Sequence, residues 1–193
     1  MKVAEHRRAY QDALREHDAA RARAAVDGAL AAGVAVPDVY LEILQPALYA
    51  VGHEWAAGEL DIAREHYATQ VTLTVLGALG PQMRAAPKDG RLAVVSGSPE
   101  ERHAVGLQMV ADFLEGDGWE VLNLGASTPA RDLARLVDAE QPDVVALSAS
   151  TPAGLPGTAE ALGADLVLDG PLELVAHLRE RFPPLGPDAE ERG

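Results

Sequence analysis

His103 stands in the run Gly97-Ser98-Pro99-Glu100-Glu101-Arg102-His103-Ala104-Val105-Gly106. A carboxylate near an imidazole fixes its tautomer and raises its basicity, as acids do behind metal-bound histidines. Glu101, two residues before His103, is spaced for that role. Gly106 lets a bulky body approach the backbone. The run follows Leu92-Ala93-Val94-Val95, which reads as a buried strand. It leads into a helical pattern in which Val105, Leu107, Met109, Val110, Phe113 and Leu114 recur at spacings near 3.6. His103 is therefore expected where a strand hands over to a helix, at the carboxyl edge of a sheet, where open α/β folds bind ligands. On these residues alone, a surface or structural histidine is an equal alternative.

A second set lies upstream. Trp55, one of two tryptophans, is followed after nine residues by Glu65-His66. Singly, Trp55 reads as core packing and Glu65-His66 as a solvated helix face.

The elements that must position these groups fall into two stretches. Residues 3–31 read as one or two helices broken near His17-Asp18. A helix from about Pro37 to Trp55 carries Val39, Leu41, Ile43, Leu44, Leu48 and Val51, with a kink expected at Pro46. Asp61 is the expected N-cap of a long helix to about Met83. Together these make a four-helix bundle over residues 1–86, and 85–90 reads as a linker. Strands and helices then alternate: strand 92–97, helix 101–115, strand 120–124, helix 129–140, strand 143–149. That order implies parallel strands with helical crossovers. After Ser150 the alternation fails. The segment 151–162 runs straight to a strand at Leu166-Val167-Leu168 and a helix from Leu172.

Composition sets bounds. With 193 residues and 48% hydrophobic content, a core is available although aromatics are only 4%. The absence of cysteine excludes disulfides and thiolate metal sites and fits a cytoplasmic protein. No signal peptide or membrane-length apolar run is found. The net charge of −14 argues against direct DNA binding. The basic residues Arg7, Arg8, Arg15, Arg21 and Arg23 are interleaved with acids, as on salt-laced helix faces.

The spacing of Glu101, His103 and Gly106 resembles the cobalamin-binding fingerprint, with Glu where Asp is commoner. Trp55 with Glu65-His66 resembles the cap of the adenosylcobalamin-dependent photoreceptors related to light-responsive carotenoid-gene repressors. The resemblance runs from about the second helix to the carboxyl-terminal helix. It implies a helical-bundle cap (1–86) followed by a flavodoxin-like, Rossmann-like parallel sheet (87–193), trimmed by one strand–helix unit. The Gly-Gly pair that follows the family's fourth strand has no counterpart at Gly154 or Gly157. The resemblance implies that His103 is the lower axial ligand of cobalt, oriented by Glu101. Trp55 would cover the adenosyl group, with Glu65 and His66 as polar contacts. Gly106 and Gly125 would face the corrin, Ser148 and Ser150 would line the pocket of the cofactor's tail, and Gly170 its far wall. It further implies a cobalamin-based sensor or regulator, not an enzyme, working through a homo-oligomer or a protein partner. The light-responsive repressors carry a DNA-reading domain ahead of their cap, for which this chain has no room. They also have a His after the Trp, where this chain has Ala56. A corrinoid carrier subunit of a methyltransferase or mutase, and an interaction domain with a decayed cofactor site, are the rival readings.

Overall fold

The computed structural model describes residues 2–83, 87–98, 101–148 and 171–183. The chain divides into two compact units, Met1–Met83 and Arg84–Gly193.

The first unit is helical. Helix α1 (Lys2–Arg15) and α2 (Ala19–Ala31) are separated by a turn in which His17 takes φ +57° and Asp18 caps α2 by accepting the Arg21 N–H at 2.8 Å. The expected break at His17-Asp18 is thus present. A short α3 (Val36–Asp38) passes through a π-helical turn (Val39–Leu44) into α4 (Gln45–Ala56). Pro46 falls in the first turn of α4. Its missing N–H cannot serve the carbonyl of Glu42 four residues earlier, which accepts from the Arg7 guanidinium instead. Helix α5 (Ile62–Met83) begins where Asp61 accepts the Arg64 N–H at 3.0 Å. The core is built from Leu14, Val26, Ile43, Leu44, Val51, Val75 and Leu76, with Tyr10 and Tyr40 fully buried. Tyr10 and Thr72 share a hydrogen bond of 2.9 Å. Burial pushes the Tyr10 phenol up to about 12, and the Thr72 bond only partly offsets that.

The second unit holds a parallel sheet of three strands among the described residues, in the order β2–β1–β3. The strands are β1 (Leu92–Gly97), β2 (Glu120–Asn123) and β3 (Val144–Ser148). Leu92 pairs with Glu120 and Val95 with Asn123, while Ala93 pairs with Val144 and Gly97 with Ser148. Being central, β1 is buried, which suits its unbroken apolar run. Helix α6 (Ala104–Gly116) follows β1, α7 (Ala130–Glu140) follows β2, and α8 (Pro171–Arg181) packs on α6. Leu107, Met109, Phe113, Leu114 and Trp119 complete the core.

The structure revises two boundaries. Helix α6 starts at Ala104, not at residue 101, because the Glu101 side chain draws His103 into an extended conformation (φ −85°, ψ 100°). Lys88–Gly90, read as linker, are bound to the sheet's amino edge: the Asp89 N–H donates to the Gly118 carbonyl at 3.1 Å, and Lys88 Nζ donates to the Trp119 carbonyl. The strand expected at Leu166–Leu168 and the trimmed unit after Ser150 lie outside the described residues.

Candidate functional site

The carboxyl edge of the sheet is assembled by backbone bonds. The Gly97 N–H donates to the Gly125 carbonyl at 2.9 Å, and the Ser98 N–H to the Ser148 carbonyl at 3.0 Å. All three strand ends are thereby tied together. Gly97 is closely hemmed in: a Cβ there would lie 3.1 Å from Ala126 Cα and from Ser127 N, and 3.2 Å from Glu101 Cβ. Gly125 takes φ +71°, which favours glycine.

On this ledge the Glu101 N–H donates to the Ser98 carbonyl at 2.9 Å. The Glu101 carboxylate is inward, its side chain 3% exposed. Its Oε1 accepts twice from His103, from the backbone N–H at 2.7 Å and from ring Nδ1 at 2.6 Å. A carboxylate only accepts, so Nδ1 carries the hydrogen, and in the neutral ring Nε2 keeps its lone pair. The His103 side chain is 67% exposed, and the residue stands at the N-cap position of α6 without a side-chain capping bond. Gly106 follows three residues later, one turn along the helix, and apart from its own helix no atom of the described residues lies within 4 Å of where its Cβ would stand. Gly125 and Ser148 share this edge, while Ser150 and Gly170 lie outside the described residues.

In the helical unit, Trp55 sits in the last turn of α4 and is 46% exposed. Glu65 is half-buried and accepts from Thr69 Oγ1 at 3.0 Å; its other oxygen is 3.7 Å from His66 Nε2, on an exposed ring. Their neighbours in the chain are bonded to residues at and just beyond the end of α1. Arg15 Nε donates to the Glu54 carboxylate at 3.1 and 3.2 Å, beside Trp55, with a further bond from its terminal nitrogen. The Tyr67 hydroxyl, beside His66, donates to the His17 carbonyl at 2.8 Å. Ala56 and His53 are both exposed. Sequence reasoning does not single out Arg15, Glu54 or Tyr67, because their partners are distant in the chain; the one available signal is an acid immediately before Trp55.

Among the described residues no three His, Asp or Glu groups gather to cage a bare metal ion. What the edge offers is one outward imidazole lone pair backed by a buried carboxylate. That donor set suits a metal already held by its own macrocycle and short of one axial ligand. Gly106 agrees: a helical glycine costs roughly 1 kcal/mol against alanine, and no neighbour among the described residues requires it there.

Comparison with known families points the same way. Residues 6–79 match one B12 binding domain family and residues 91–168 match a second family of the same description. The two regions together span most of the chain, and the chain belongs to the B12-binding domain proteins.

Among individual proteins, the chain is 41% identical over 108 residues to the HTH-type transcriptional repressor CarH of Myxococcus xanthus, covering 55% of this chain and 35% of that protein. It is 25% identical over 142 residues to trimethylamine corrinoid protein 1 of Methanosarcina acetivorans, covering 72% of this chain and 66% of that protein. The chain thus spans about a third of the repressor's length. The monomethylamine corrinoid protein of Methanosarcina barkeri has the same fold, with a TM-score of 0.69 at 19% identity, covering 90% of this chain and 76% of that one. The helical region followed by a parallel sheet with flanking helices is therefore the corrinoid-protein fold, as the sequence implied. Among the described residues no helix is long and apolar enough to cross a membrane.

Proposed function

We propose that this chain is an adenosylcobalamin-binding light sensor of the cytoplasm, a regulatory module without enzymatic activity that acts through self-association or a protein partner and does not itself bind DNA. The observation that carries the reading is the 2.6 Å contact between buried Glu101 and exposed His103. Nδ1 donates inward, so Nε2 is the atom that would ligate from below. Gly106 and Gly125 leave room for the corrin, and Ser148 with Ser150 and Gly170 would line the tail pocket. Trp55 would pack over the adenosyl group, with Glu65 and His66 as polar neighbours. Bound adenosylcobalamin supplies a cobalt–carbon bond that visible light breaks. Ala56 offers no imidazole for the exposed upper position, so the illuminated protein is expected to retain cobalamin poorly.

The test is electron paramagnetic resonance of the cob(II)alamin-loaded protein labelled with ¹⁵N-histidine. A nitrogen splitting that changes with the label shows a protein imidazole on the metal, and His103→Ala should abolish it. An unlabelled splitting from the cofactor's own base in the wild type would sink the ligand assignment. Melting curves in the dark and after green light separate sensing from carriage, and identical curves after proven photolysis would refute sensing.

A second reading, a corrinoid carrier subunit serving a methyltransferase or mutase, draws on the 25% identity to trimethylamine corrinoid protein 1 over most of this chain. Equal affinity for methyl- and adenosylcobalamin would favour it.

A further inference from the structure

Two amides outside the groups named so far meet at the same strand ends. Asp112, on α6 and 1% exposed, accepts from Gln108 Nε2 at 3.0 Å. That contact orients the Gln108 amide, because a carboxylate oxygen accepts and Nε2 must face it. Oε1 then faces away, and it accepts from Asn123 Nδ2 at 3.2 Å. Asn123 is the last residue of β2, and with its Nδ2 committed, its Oδ1 accepts the Gly125 N–H at 3.0 Å. The Gly125 carbonyl accepts the Gly97 N–H, the carbonyl of the adjoining Ser98 accepts the Glu101 N–H, and Glu101 holds His103. His103 immediately precedes α6, the helix that carries Gln108 and Asp112. The path returns to the element where it began, and every donor along it meets an acceptor.

We infer that Gln108 and Asn123 are positioning residues for His103. Their bridge links the second turn of α6 to the end of β2. It holds the Gly125 turn in its left-handed conformation and presses that turn onto the end of β1, the ledge from which Glu101 aims the imidazole. A surface pair with no such task would not need matched amide orientations from a buried acid to a backbone N–H. Polar chains of this kind act as a unit, so cutting one link slackens the rest. The inference rests on the ligand role proposed for His103, but the relay exists without any cofactor, and amide exchange tests it in the apo protein.

The experiment uses the full chain with Asn123→Ala, Gln108→Leu and the double variant. In the apo protein, amide exchange at Gly97 and Gly125 should speed up about tenfold in either single variant, and the His103 Nδ1 proton resonance should broaden. Titration with hydroxocobalamin should show about tenfold weaker binding. A smaller labelled-imidazole splitting in the cob(II)alamin-saturated protein separates loss of aim from mere loss of stability. The double variant should be no worse than the worse single, since both cut one path. Wild-type exchange rates and hydroxocobalamin affinity in both single variants, or additive losses in the double, would overturn the inference. If the wild type takes up no hydroxocobalamin, the ligand reading fails, while amide exchange and the Nδ1 resonance still decide the relay.

Discussion

The two edges of one sheet each hold a charged pair, and they hold it oppositely. At the amino edge Arg91 is 6% exposed and its partner Asp117 7%. Arg91 Nε donates to Asp89 at 2.8 and 2.9 Å, its terminal nitrogens donate to the carbonyls of Phe182 and Asp117, and its guanidinium lies 4.5 Å from the Trp119 ring centre. All of it points inward. At the carboxyl edge only the acid is buried, and the base faces solvent with one nitrogen uncommitted. A pair with both members buried serves to hold the fold together. A pair closed on one side presents a prepared lone pair to something outside.

The largest test of that contrast is Arg91→Ala. Removing one partner from a buried network leaves carboxylates uncompensated, and the loss should be about 3–5 kcal/mol in denaturant unfolding. A loss under about 1 kcal/mol would show that the amino edge is not the structural anchor. The same edge sets acid sensitivity. Burial alone would raise the Asp89 carboxyl, but the hydrogen bonds from Arg91 outweigh it and hold Asp89 below its ordinary value of 3.8. A carboxyl depressed in the folded state contributes stability above its unfolded value and loses it as pH falls through the folded one. The difference between wild type and Arg91→Ala should therefore shrink as melts are taken from pH 5 down to pH 2.

At the other edge the expected effect is on ligand affinity. Glu101→Gln keeps the shape but removes the charge behind Nδ1, and loss of such a partner typically costs 10–100-fold in metal affinity. Cobalamin titration measures it, and unchanged affinity would mean that His103 needs no acid behind it.

How far the sequence shows these things follows from range. The alternation of strand and helix is local, and the elements from β1 to β3 stand within a few residues of their expected places. The start of α6 was misplaced by three residues because a side-chain bond, not propensity, shapes Glu101–His103. The π turn at Val39–Leu44 has no sequence signal beyond the nearby proline. Glu101 and His103 are visible because their contact spans two residues of chain. The Gln108–Asn123 bridge spans fifteen and exists only once β1 and β2 pair in register. Arg91 and Phe182 are further apart still, and Lys88–Gly90 look like linker until the strand ends they bind are known.

The helical unit extends the contrast at a smaller scale. Trp55 is half exposed, so Trp55→Ala should change stability by less than about 0.5 kcal/mol. If the ring covers adenine, the variant should lose about tenfold in its preference for adenosyl- over hydroxocobalamin. A clear drop in melting temperature with no change in preference would return Trp55 to the role of packing residue.

The smallest effect is also the one whose sign is most telling. Gly97 and Gly106 flank the site, but only Gly97 is explained by its neighbours, with backbone atoms 3.1 Å from an added Cβ. Gly97→Ala should destabilise. Gly106 has open space around it and sits in the first turn of α6, where alanine is the better helix former. Gly106→Ala should therefore stabilise the apo protein by about 0.5–1 kcal/mol in denaturant unfolding. A residue kept against its own helix's preference answers to something that approaches from outside. Gly106→Leu should then fold as well as wild type, yet bind hydroxocobalamin markedly less tightly, because the side chain occupies the space the corrin would take. Undiminished binding by Gly106→Leu would show that the corrin does not come to this face of α6.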